Sequence, residues 1–220
     1  MKLKPYSRFP FILFISITVS LIGCSESAPI PAKYLEVSGW ANSNLNEAKY
    51  RNGDSIPHVT DILEWASLTT GAWTYYNNDS SFGPLYGRLY NWYALADPRG
   101  ICPEGWHVAT TTDWDSLVAQ FGGPSIAASH LKATTGWELP NVASDNASGF
   151  SALPSGNRKD NGIYNGLGLS GPFWTSTEQD SLQALARFMN RSHNEVGKKA
   201  GDKRNGLACR CVKNDWLTLK

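Results

Sequence analysis

The chain has 220 residues, with 20 Lys and Arg against 19 Asp and Glu and a formal net charge of +1. That balance excludes the basic footprint of a nucleic-acid or anionic-lipid surface, and the length suits one well-buried domain behind a leader. Nine Trp, nine Tyr and eight Phe accompany twenty Gly, a mix suited to a loop-rich, β-containing fold in which flat side chains fill gaps between short elements and aromatic faces are available to stack on sugar rings.

In chain order the first signal is a leader. Lys2, Lys4 and Arg8 precede a run from Phe9 to Ile22 that is apolar apart from small residues. The run matches a signal-peptide core and falls short of the roughly 20 apolar residues of a bilayer span. Leu21-Ile22-Gly23-Cys24 closes it and resembles the lipobox of bacterial lipoproteins. That resemblance implies a lipoprotein signal peptide over residues 1–23 and a diacylated Cys24 as the new N-terminus; an ordinary secretory signal with a chance cysteine is the alternative. Two or three acyl chains, each methylene contributing ~0.8 kcal/mol, would hold the chain at a membrane. Ser25 in place of Asp resembles the outer-membrane sorting pattern, and Ser25-Glu26 resembles surface-export signals of Bacteroidota lipoproteins. The implied location is the cell envelope, at the outer membrane, on its periplasmic or surface side. Residues 24–39, with Pro29 and Pro31, read as a tether, and 40–215 as one domain.

Within that domain, Asp61 as cap and Glu64 at the third position open a helix with Ile62, Trp65 and Leu68 as its stripe, ending at Thr70-Gly71. A stronger helix runs from Asp113 to Phe121. Thr110 caps it, Trp114, Leu117, Val118 and Phe121 share one face, and Gly122-Gly123 stops it. Ser125 to Leu131 reads as a further short helix. The second half reads as strands over Phe173–Thr177, Ala184–Met189 and Leu207–Lys213, punctuated by Asn-Gly, Asp-Asn-Gly and Gly-Pro turns. Trp137 and Phe150 mark long ordered loops, since both need packing partners. The expected class is α+β, with early short helices, long ordered loops and a late antiparallel sheet.

With Cys24 lipidated, Cys102, Cys209 and Cys211 remain, and an oxidising envelope favours a disulfide. Cys209 and Cys211 lie two apart in a strand-like run, where Cβ vectors are parallel and at the limit of reach. Cys102 is therefore expected to pair with one of them, closing a loop of roughly a hundred residues worth ~4–5 kcal/mol.

Catalytic signatures are missing from the sequence: there is no His-Glu-x-x-His, Cys-x-x-Cys or Gly-x-Ser-x-Gly, and the glycine-rich run Gly166–Gly171 carries no lysine. His58, His107, His130 and His193 stand without partners at ligand spacing. Asp145, Asn146, Asp160 and Asn161 read as polar turns rather than a calcium site. No cofactor, no metal and no catalytic residue is expected. What remains is a binding surface: Asn157, Arg158, Tyr164, Trp174 and Glu178 mix amides, charges and aromatic faces as polar-ligand sites do. Packing of the loop by Tyr164 and Trp174 is the alternative.

Several motifs now stand in a fixed order: Lys49 to Pro57, Tyr86-Gly87-Arg88-Leu89-Tyr90-Asn91-Trp92-Tyr93-Ala94, Ile101-Cys102-Pro103-Glu104-Gly105-Trp106-His107-Val108, Asp113-Trp114, Leu131-Lys132, Trp137, Ser148 to Pro154, Trp174-Thr175-Ser176-Thr177-Glu178 and Arg210-Cys211-Val212-Lys213. As a set they resemble the Fibrobacter succinogenes major paralogous domain, found in envelope lipoproteins of Fibrobacteres and Bacteroidota, from about Trp40 to Asn214. The resemblance implies a C-type-lectin-like fold, in the branch that includes formylglycine-generating enzymes. The copper-binding cysteine pair of those enzymes and the Glu-Pro-Asn and Trp-Asn-Asp calcium motifs of lectins have no counterpart here. It also implies a Cys102–Cys211 disulfide, with Cys209 as a free thiol where the family usually has an apolar residue. The expected function is a membrane-anchored, non-catalytic binding module for a glycan or another envelope or extracellular protein. The alternatives are a structural surface scaffold without a small ligand, and an enzyme whose site is assembled from residues distant in sequence.

Overall fold

Asp61 starts α1 (Ile62–Ala66) by accepting hydrogen bonds from the Leu63 and Glu64 amides. In this computed structural model, which describes Met1 and residues 39–218, α1 stops at Ser67, short of the expected Thr70-Gly71. Five residues are too few to present a stripe: Trp65 is buried, while Ile62 is exposed. Cys24, the rest of the expected leader after Met1 and the expected tether up to residue 38 lie outside the described residues. Among the described residues no helix is long and apolar enough to cross a membrane.

The next elements escape periodicity because they span only two to four residues: β1 (Trp73–Thr74), α2 (Gly83–Tyr86), β2 (Leu89–Tyr90), α3 (Trp92–Leu95) and β3 (Trp106–Val108). β1 and β2 pair antiparallel, and Asn91 caps α3 by accepting from the Ala94 amide. The expected strong helix is α4 (Thr111–Gln120). Its capping box is complete, with Thr110 and Asp113 each accepting from the other's backbone amide, and Trp114, Leu117 and Val118 face inward. α5 (Ala127–Leu131) follows, two residues shorter at its start than expected.

The late strands are β4 (Ser155–Arg158), β5 (Tyr164–Leu167), β6 (Ser170–Glu178), β7 (Gln183–Asn190), β8 (Gly197–Asp202) and β9 (Cys211–Lys213). β4 and β5 form a hairpin across the Asp-Asn-Gly turn, β6, β7 and β8 form an antiparallel sheet in that order, and β9 closes onto β3 with Val108 opposite Cys211. The molecule is a small α+β domain with mostly antiparallel pairing, as the sequence indicated. Two expectations are corrected. Gly171-Pro172 is not a turn but lies inside β6, where an edge strand tolerates a residue without an amide hydrogen. Of Leu207–Lys213 only the last three residues form a strand, and Leu207 and Ala208 make single bridges to Tyr90 and Phe173.

The three-stranded sheet is apolar on both faces. Phe173 and Met189 join Trp40, Trp114, Leu117 and Phe150 in one cluster, and Trp174, Ala184 and Ala186 join Tyr90, Trp92 and Leu207 in the other. Each fully buried large side chain contributes ~1.5–3 kcal/mol. Cys102 and Cys211 form a disulfide over a sequence separation of 109, with Cα atoms 5.9 Å apart, and Cys209 is a buried free thiol. Both match what the family resemblance implied.

Buried cations hold the loops. Lys132 has no exposed surface, and its ammonium donates to the carbonyls of Val142 (3.1 Å), Asn190 (3.3 Å) and His193 (3.2 Å). Arg210 donates from Nε to Asn44 Oδ1 (2.8 Å) and from its other nitrogens to the carbonyls of Ala41 (2.6 Å) and Ser151 (3.1 Å). Its guanidinium lies 4.4 Å from the Phe150 ring centre. Burial lowers the Lys132 ammonium from its ordinary value and the Arg210 guanidinium to about 9, which leaves Arg210 cationic at neutral pH.

Candidate functional site

Strand alternation divides the residues nominated from sequence. On β4, Arg158 points inward and is 1% exposed. It donates to the carbonyls of Gly162 (3.0 Å), Val59 (2.7 Å), Thr60 (3.0 Å) and Asp61 (3.1 Å). Its guanidinium sits 4.5 Å from the Trp65 ring centre and 5.0 Å from that of Tyr164, its cross-strand partner. The Tyr164 hydroxyl donates to Asn78 Oδ1 (2.6 Å) and meets Thr74 Oγ1 at 2.8 Å. Burial lowers the Arg158 guanidinium and raises the Tyr164 phenol. The two residues line a shallow cavity of about 360 Å³ with Asn78 and Ile163. Arg158 nevertheless spends four hydrogen bonds on main-chain carbonyls and ties the β4–β5 turn to the start of α1, so it is a structural residue.

Trp174 is also corrected to a structural role. It is fully buried, and its indole N–H donates to the carbonyls of Tyr90 and Asn205, both at 3.1 Å. No ring face is left for a ligand. Glu178 is ion-paired with the buried Lys203, which also donates to the Ser181 carbonyl (3.1 Å). Of the five nominated residues only Asn157 opens onto the second cavity.

That cavity is a groove of about 360 Å³ between β4 and the end of the three-stranded sheet. Its apolar part is Pro172 opposite Phe188 across β6 and β7. Phe188 is 37% exposed, and its ring covers Gly197 on β8, where an added Cβ would come within 2.1 Å of it. Glycine at 197 therefore leaves room for the tip of the ring to reach across to β8. Two amides flank it. Among the described residues the Asn157 side chain makes no hydrogen bond, while Asn205 Oδ1 accepts from the Asp160 amide at 2.9 Å. Lys159 and Lys199 reach the same groove from β4's end and from β8.

The histidines belong elsewhere. His107 on β3 places Nε2 3.0 Å from Asp113 Oδ2 and Nδ1 2.9 Å from Asn214 Oδ1. Asp113 also accepts from the Trp216 indole (2.7 Å) and from the Thr110 amide (2.8 Å) and hydroxyl (2.6 Å). Burial alone would raise this carboxyl; the donors on Thr110, Trp216 and His107 outweigh it and hold it below the usual carboxylate value. The cluster pins the C-terminal segment to α4. Burial pushes the Cys209 thiol far up, which makes it unreactive. No group of three or more His, Cys, Asp or Glu among the described residues is arranged to hold a metal.

The family model described as the Fibrobacter succinogenes major domain matches residues 37–213. The chain belongs to that family. No curated protein and no solved structure matches it. The match spans both the caged cations and the groove, so both lie within the Fibrobacter succinogenes major domain. Sequence reasoning missed Phe188, Lys199 and Asn205 as groove residues. The usable signal was the alternation of Ala184, Ala186 and Phe188, which places a large ring at the end of a small-residue face. Its partner strand, Gly-Lys-Lys-Ala-Gly-Asp, has little strand propensity and gave no such signal.

Proposed function

We propose that this protein is a lipid-anchored component of the cell envelope whose domain is a non-catalytic module binding a glycan, free or carried by another surface protein. The anchor is acylated Cys24, the location the outer membrane, and the fold the C-type-lectin-like one. The disulfide between Cys102 and the closing strand β9 supports that fold. One observation carries the binding reading: the Phe188 ring, 37% exposed, reaches over Gly197 in a groove flanked by the Asn157 and Asn205 amides. A flat apolar face beside amide donors and acceptors suits a sugar ring, which has an apolar face and a hydroxyl edge. The engagement of His107 with Asp113 and Asn214 supports the non-catalytic part.

A glycan array probed with the purified full chain tests this. Hits that Phe188→Ala and Asn157→Ala abolish, with thermal stability retained, are expected. A display scaffold without a small ligand is the second reading, favoured by the structural commitment of Arg158, Trp174 and Glu178; silence on the array would select it. Mass spectrometry showing Cys24 without fatty acid would remove the anchor, and protease treatment of intact cells decides which side of the membrane the domain faces.

A further inference from the structure

Resting on the glycan reading of the same groove, the charge pattern carries the ligand class further. Lys159 and Lys199 both line the groove, both are exposed, and neither forms an ion pair among the described residues. The other cations of β7, of β8 and of the turn after β8 are differently placed: Arg187 and Lys198 face Asp115, Lys203 faces Glu178, and Arg204 faces Asp202. The groove's one carboxylate, Asp160, lies 3.7 Å from Arg204, which also serves Asp202. Two ammonium groups thus stand against one shared carboxylate beside the Phe188 ring. Ammonium groups of this kind act as point charges that pair with carboxylate or sulfate without demanding one orientation.

We infer that the groove takes an acidic saccharide, whose ring packs on Phe188 while its anionic substituents pair with Lys159 and Lys199. Uronic acids and sulfated sugars share this chemistry, and the test separates them. The purified full chain is titrated calorimetrically with a galacturonate trimer, its methyl ester, and a sulfated galactan oligomer of the same length. At least one acidic probe should bind more tightly than the ester, and raised salt should weaken it. Lys159→Met and Lys199→Met should each weaken it about fivefold, the size of a partly exposed ion pair, with unchanged melting temperature. The acidic probe that binds identifies the source of the charge. If the methyl ester binds as well as both acidic probes, the charge inference fails and the glycan reading stands. If no probe binds, and the array is silent too, both fail together.

Discussion

Around Lys132 three main-chain carbonyls enclose one ammonium with no exposed surface, whereas at the groove Lys159 and Lys199 stand in solvent with no ion pair among the described residues. The same functional group is spent on architecture in one place and left free in the other. A buried charge is costly unless hydrogen bonds replace its water. The segments that supply those carbonyls are then held in the geometry the cation needs, which is how long loops here keep order with little regular structure. In solvent an ammonium keeps its hydration and constrains nothing, so it is available to a ligand.

The largest loss should come where the closed end is covalently held. Joint Cys102→Ser and Cys211→Ser substitution is expected to cost about 4–5 kcal/mol in urea unfolding, from the loop-closure entropy of the disulfide. Next, Arg210→Met should cost about 3–4 kcal/mol and Lys132→Met a similar amount, because each strands several buried acceptors. Either variant unfolding like the parent protein would break the contrast between the two regions.

Asp113→Asn sharpens it from the opposite sign of charge. Losing a carboxylate that serves Thr110, Trp216 and His107 should cost about 2 kcal/mol at neutral pH. The Asp113 carboxyl is lowered in the folded state, so the unfolded chain binds its proton first as pH falls. Its stabilisation is full above the ordinary carboxyl pKa and is lost as pH drops through the lowered folded value. The gap between parent and variant in urea midpoints should therefore narrow below about pH 4. The smallest effect belongs to the groove, where Lys199→Met and Lys159→Met should stay within about 0.5 kcal/mol of the parent. A loss at Lys199 equal to that at Lys132 would show that the groove lysines are structural as well.

Much of the fold was legible where the cause was local. The α4 cap, the α1 cap and strands β6 and β7 announce themselves through hydrogen bonds within four residues or through alternation. The short elements between Trp73 and Leu95 did not, because two residues of strand have no period. The candidate site was legible only at Asn157. In the sequence Trp174 offers an aromatic face, but in the fold burial removes that face from any ligand.

By itself the sequence determined the caps, the strand alternation, the family and its implied disulfide, since these rest on neighbours in the chain or on motifs in fixed order. Only the tertiary structure decided which cations are interior. The carbonyls that receive Lys132 lie 10, 58 and 61 residues away, and one that receives Arg158 lies 99 away. Composition does not reveal whether distant backbone will converge on a charge, and that convergence separates a structural lysine from one free to bind.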